Sequence, residues 1–276
     1  YQYGPGQFNY YKMLSAAQGT RGIVTWASLR CEVVPRVQKF FLVPCERLAT
    51  IIGFAYKLLR IRFHDELLLL NSSNLASILG EGTEQIMGLR KELPPWILIF
   101  GLAGRDLLPE EKVEFLERDI LDIALQCGVH PESSIPGARD EQVRETLLHP
   151  SKEPYWKLRH KSGCQDIFFL TTLNRAPEFV ATMCSVAEAF KYPASDIGVY
   201  IQPTHLGTSC HVEFNLPYNP GDENETVRMQ GLFTKASEEL SKQGAFFSRP
   251  YGIWADMAYS RNPEHTSLSK KLKGLF

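Results

Sequence analysis

From Lys39 onward the hydrophobic and polar positions follow two rhythms: short apolar runs bounded by turn residues, and longer stretches with a 3.6-residue period. "KFFLVP", "ELLLL" and "WILIFGLAG" read as strands, the last entered from a Pro94-Pro95 stop. "ERLATIIGFAYKLLR" reads as a helix with Leu48, Ile51, Ile52, Ala55, Leu58 and Leu59 on one face. "NLASILGEGTEQIMGLRKEL" reads as one or two helices, interrupted at Gly80 and Gly82. "LPEEKVEFLERDILDIALQCG" is a helix whose stripe is Val113, Leu116, Ile120, Ile123, Ala124 and Cys127. Its acidic first turn suits the helix dipole.

Residues 129–162 lose the rhythm and read as an irregular connection with one short helix. It then returns as a strand "DIFFLTTL", a helix "APEFVATMCSVAEAF" with Pro177 in its first turn, and strands "DIGVYIQPT" and "CHVEFNLPY". A long helix closed by Gly244 and a last strand "AFFS" complete the series. This order is β-α-β-β-α-β, and the first half approximates it with an extra helix. The expected fold class is α+β: two ferredoxin-like units, about residues 38–128 and 163–248, forming an antiparallel sheet with helices on one face. Ahead of them, residues 1–36 are rich in Gly, Tyr and Gln and lead into a strand-like "GIVTWASLRCEVV".

Composition narrows the function without choosing it. Of 276 residues, 44% are hydrophobic and 22% charged, so a sizeable core is possible. A net charge of -1 supplies no field to gather nucleic acid or an anionic membrane. The run "DELLLLNSS" holds only four leucines, too few to span a bilayer, and the opening residues have no signal-peptide pattern. Six cysteines, none in C-x-x-C spacing, read as scattered small hydrophobes of a reducing, cytoplasmic compartment. Both ends read as cut, so a piece of a longer protein is expected.

No P-loop, G-x-G-x-x-G, G-x-S-x-G or H-E-x-x-H occurs. Four local features remain. "GTRGIVT" sets two glycines before a β-branched run, either an ordinary turn or a place where backbone approaches a ligand closely. "THLGTSCH" pairs His205 with His211 across a turn; two histidines alone do not close a metal site, and His211 is otherwise a pocket or core residue. "GCQDIFF" puts Asp166 at the mouth of a strand, as a solvated edge or facing a ligand. "AFFSRPYGIW" ends an apolar run on Arg249, a surface cation or a fixed positive charge aimed where negative charge develops.

Taken together, "YGPG", "GTRGIVT", the double α+β unit and the closing "SRPYGIWADMAYSRNPEHTSLSKKLKGLF" resemble the FAD-linked oxidases of the vanillyl-alcohol oxidase and p-cresol methylhydroxylase type. The resemblance covers essentially the whole chain and the later part of such proteins. It implies the end of an FAD-binding domain at 1–37, a substrate cap at 38–248 with its linker at 129–162, and a return segment at 249–276. It further implies cofactor contacts at Gly22, Ile23, Val24, Thr25 and Asp166. Arg249 would stand beside the flavin as the catalytic residue, with His211, Tyr251 and Ser248 lining the substrate pocket. The chain departs from the family at several points. Ser248 stands where phenol-oxidising members have a tyrosine. Asp166 matches the position of a covalent His or Tyr link, so FAD is expected to be non-covalent, or tethered from elsewhere. "HLGTSCH" is one residue shorter than the metal-binding "HxGDGNxH", and Pro250 takes the place of the companion glutamate, so no metal is expected.

These readings converge on part of an FAD-dependent oxidoreductase that takes a hydride from a small organic alcohol or hydroxy acid. Its electron acceptor, and any association of like chains, are left open. The alternatives are a flavin-free ferredoxin-like binding or assembly module, and a lactate- or glycolate-type dehydrogenase that has lost its metal site.

Overall fold

The computed structural model describes residues 15, 17, 19, 21–150, 155–204 and 207–274. They divide into two compact units: Val33–Ala245, and the residues up to Glu32 together with those from Phe246 on.

Val33–Ala245 is built on one six-stranded, wholly antiparallel sheet. In chain order its elements begin with β1 (Val37–Cys45), α1 (Leu48–Ile61), β2 (Glu66–Asn71), α2 (Ser72–Leu79), α3 (Thr83–Glu92), β3 (Trp96–Gly104) and α4 (Pro109–Cys127). A small hairpin, β4 (Ser134–Ile135) and β5 (Ala138–Arg139), then leads into α5 (Asp140–Leu148). The second half is β6 (Gly163–Thr171), α6 (Ala176–Ala189), β7 (Gly198–Thr204), β8 (Ser209–Tyr218) and α7 (Glu223–Lys242). The spatial order is β1-β3-β2-β7-β8-β6. Each half therefore places its first, third and second strands side by side, and the two halves meet at their second strands.

Strand pairing assigns the faces. Phe41 stacks on Phe100 (centroids 5.1 Å apart), and Phe54 of α1 meets Phe100 edge-on. In the second half Phe169 packs against Phe179 of α6, 4.8 Å between centroids. Leu69 lies opposite Ile201 across the central seam, so α1, α4, α6 and α7 share one face of the sheet. The α1 stripe expected from the sequence is buried in full. The first half adds a second layer: α2, α3, α5 and the β4–β5 hairpin pack on Phe40, Leu42, Leu68, Leu70, Ile97 and Ile99 of the opposite face. That explains why β3 is apolar throughout, since both its faces are covered. The second half has no inserted helix pair between β7 and β8, and its opposite face is covered instead by the chain at residues 155–162 and the edge of α2.

The closing strand expected at residues 245–248 is not part of the sheet, so each half has three strands. Gly244 turns the chain at φ 95°, and the Ala245 N–H is spent on the Leu240 carbonyl (3.0 Å), finishing α7 instead of pairing with a strand.

In the other unit, residues 22–32 form neither helix nor strand, with Ile23 91% and Trp26 81% exposed. The sequence gives them β-branched character, yet a ladder needs a neighbour to take up each amide and carbonyl. Among the described residues no sheet includes them. After Phe246 the chain forms α8 (Ile253–Ser260) and α9 (Pro263–Lys273). Trp254 of α8 is fully buried and stacks on Phe247, centroids 4.6 Å apart at 13°.

Candidate functional site

The face of β6, β7 and β8 that lacks inserted helices is polar. Along β8, alternate residues Val212, Phe214 and Leu216 point into the helix-covered core, which turns His211, Glu213 and Asn215 to the other side. Register places His211 between Gln202 and Leu170, Glu213 between Tyr200 and Phe168, and Asn215 between Gly198 and Asp166. Four neighbouring polar residues on one apolar sheet need partners, and they find them in one another.

At the centre stands Lys157, carried over the sheet by a short 3-10 turn, Trp156–Leu158. Its side chain is 10% exposed, and its Nζ donates to Asp166 Oδ2 at 2.6 Å and to Glu213 Oε1. Asn215 Nδ2 donates to Asp166 Oδ1 and to Glu213 Oε1, both at 2.7 Å. Asn74 of α2 donates to Asn215 Oδ1 at 2.8 Å. Gly198 lies beside the Asn74–Asn215 bond, where a Cβ would stand 3.4 Å from Asn74 Nδ2 and a tight 3.3 Å from Asn215 Cβ. The remaining Glu213 oxygen, Oε2, meets His211 Nε2 at 3.2 Å. Phe168 and Tyr200 flank the imidazole, each with its ring centroid 6.0 Å away.

Burial alone would push the Glu213 carboxyl up. The hydrogen bond from His211, the Lys157 ammonium and the Asn215 amide overcome it and hold the group down to about 2. Burial also works against the Lys157 charge, but Asp166 and Glu213 outweigh it and push the ammonium well above its usual range. The pair is thus a fixed ion pair. Burial and the neighbouring Glu213 push the Tyr200 phenol up to about 12, leaving it a neutral donor, to Gln202 Oε1 at 2.8 Å. Burial and Asp166 push the Cys164 thiol up as well, which removes it as a nucleophile.

Chemically, the ionised Glu213 carboxylate can only accept from His211 Nε2, and the neutral imidazole that donates this bond carries its lone pair on Nδ1. An imidazole held this way, with a permanently ionised carboxylate behind it, is equipped to take a proton from a substrate and to be stabilised once charged.

Of the residues singled out in the sequence, the structure brings Asp166 and His211 onto one sheet face. Gly22, Ile23, Val24 and Thr25 lie exposed in the other unit, as do Arg249 and Tyr251, with Ser248 half-buried. His205 lies outside the described residues. No group of three or more His, Cys, Asp or Glu able to hold a metal occurs among the described residues. No helix among them is long and apolar enough to cross a membrane. Sequence reasoning passed over Lys157, Glu213, Asn215 and Tyr200. The signal was present in β8 as "HVEFN", polar at every second position of an otherwise apolar strand.

No protein-family model matches the chain, and no curated protein matches it in sequence. Solved structures match it in fold. A crystal structure of p-cresol methylhydroxylase with substrate bound aligns at TM-score 0.64 and 15% identity, over 87% of this chain and 50% of that one. Two structures of alkyldihydroxyacetonephosphate synthase align at TM-scores 0.56 and 0.55, with 12% and 14% identity, over 95% and 99% of this chain and 49% and 48% of theirs. The chain therefore spans about half the length of the proteins whose fold it shares.

Proposed function

We propose that this chain is the substrate-cap portion of an FAD-dependent oxidoreductase acting on a small organic alcohol or hydroxy acid. In this reading residues 38–248 form the cap, while 1–37 and 249–276 belong with the cofactor-binding portion. The observation that carries it is the His211–Glu213 pair on the polar half of the sheet, in a fold shared with half of p-cresol methylhydroxylase.

The residues present fit a flavin in kind. Gly22, at φ 148°, has open space where a Cβ would stand, so a flat ring system can lie against its backbone, and the next three residues are exposed. When bound non-covalently, FAD supplies the two-electron acceptor. His211 Nδ1 takes the substrate hydroxyl proton as the carbinol hydrogen departs with its bonding electrons and the carbonyl forms. Glu213 orients the ring and balances the imidazolium, while Lys157 and Asn215 keep Glu213 ionised and in place. Phe168 and Tyr200 give the substrate an apolar wall. Arg249 belongs to the other unit with Gly22, and its guanidinium cannot lose its charge, which suits it to stabilising the negative charge gained by an acceptor bound there.

The test uses the full-length protein. Its visible spectrum shows bound or reconstitutable flavin, and a colourless protein that ignores added FAD overturns the reading. Anaerobic single-turnover reduction then isolates the proton step. His211→Gln lowers its rate by about 10²–10⁴-fold with the flavin spectrum intact; an unchanged rate removes His211 from the chemistry.

A further inference from the structure

Residues 155–162 run as a strap over the polar sheet face, and alternate cations fasten them. Lys157 reaches Asp166 and Glu213, Arg159 donates to the Gly80 carbonyl beyond α2 (3.0 Å), and Lys161 meets Asp196 (3.2 Å). Thr83 Oγ donates to the His160 carbonyl at 3.0 Å. Beneath the strap lies a cleft of ≈ 20 Å³, whose lining includes Asn74, Lys157, His160, Gly198 and Asn215. Two atoms of that lining, Asn74 Oδ1 and His160 Nδ1, are buried and have no hydrogen-bond partner in the protein. Asn74 itself is 1% exposed. Two unmet polar atoms on one small cleft are a pattern that native proteins resolve with a bound guest.

The chemistry of the lining selects the guest. The volume suits about one water molecule. Asn74 Oδ1 only accepts, so the guest must donate, which excludes halide and other proton-free anions. A metal ion or ammonium would sit beside the Lys157 charge. The carboxylate of the lining, Asp196, is already met by Arg90 at 2.9 Å and by Lys161. We propose that this cleft is a built site for one water molecule, donating to Asn74 Oδ1 and hydrogen-bonded to His160 Nδ1. The water joins the strap to the carboxylate cluster through Asn74 and Asn215, and so helps hold Lys157 over Asp166 and Glu213. The site stands or falls independently of any flavin chemistry.

A crystal structure of the chain at a resolution that orders buried water tests this directly. The expected result is a single peak within hydrogen-bond distance of both atoms, about 2.7–3.2 Å. A cleft without density while other buried waters are ordered overturns the proposal, as does a peak refining as an ion. In solution, amide hydrogen exchange across residues 156–162 reads the same joint. His160→Phe removes the ring nitrogen, and exchange there accelerates about fivefold, the factor that about 1 kcal/mol makes. His160→Gln retains a polar group and keeps the rate within about twofold of the parent. Equal rates in all three proteins show that no bridging water fastens the strap.

Discussion

At the scale of single residues, the cluster around Lys157 is a case of charges made affordable by one another. Glu213 and Lys157 are 16% and 10% exposed at the side chain, and neither would stay ionised there alone. Because the folded-state Glu213 carboxyl is held down to about 2, against an ordinary 4.5, folding is favoured by its ionised form. The sign follows: this stability is fully present above about pH 4.5 and is lost as pH falls towards about 2. The whole interval corresponds to about 3 kcal/mol. Urea unfolding between pH 6 and 2.5 is expected to show that loss, and Glu213→Gln to flatten the curve in this window. Equal slopes in variant and parent would show that Glu213 does not carry the effect. From sequence, Asp166 and His211 stood out because a charge and an imidazole interrupt apolar runs. Lys157 was illegible, since nothing in "EPYWKLRH" reveals that a loop lysine folds back onto a strand 9 residues on.

At the scale of elements, the two halves of the sheet meet through a narrow seam: β2 and β7 pair only at Leu69–Ile201 and Leu70–Tyr200. Asn71, the last residue of β2, reinforces it from three directions. Its Oδ1 caps α2 by accepting from Asn74 N (3.0 Å) and also accepts from Val199 N (2.8 Å), while its Nδ2 donates to Ile197 O (2.7 Å). Ser73 and Arg90 add bonds to the Ser195 carbonyl. Asn71→Ala removes a helix cap and two bonds across the seam, and is expected to cost about 2–3 kcal/mol in denaturant unfolding. Asn71→Asp keeps the accepting oxygen and should lose less; a neutral Asn71→Ala would mean the seam rests on apolar packing alone. The strands and helices that meet here were legible, because 3.6-period stripes and short apolar runs report burial. Their termini carried less signal. Asn71 reads as an ordinary N-cap, and the long-range half of its bonding is a product of topology.

At the scale of the molecule, Val33–Ala245 is one three-stranded plan used twice, with a difference between the copies that makes the site. The first copy inserts α2 and α3 between its second and third strands, and their apolar sides cover the sheet there. Its counterpart inserts no helix between its second and third strands, and places Asp166, His211, Glu213 and Asn215 on that face beneath the chain at residues 155–162. The repeated strand–helix order could be read from the sequence, but the side taken by each inserted helix could not, since amphipathic stripes say that a helix packs and not on which face. The fourth strand expected for the second copy failed for a related reason: apolar content in "AFFS" marks burial, and Phe247 satisfies it against Trp254 outside the sheet. Val33–Ala245 closes its sheet register and both helical layers within its own residues. Expressed alone, it is expected to unfold in a single cooperative transition with dispersed amide resonances. If the segment instead gives a collapsed state without fixed side-chain signals, residues outside 33–245 are required to complete the core. Should it fold, the Lys157–Glu213–His211 arrangement can be studied apart from any cofactor. The acid titration described for Glu213 should then be reproduced in the fragment, because every group that shifts it lies between Lys157 and Asn215.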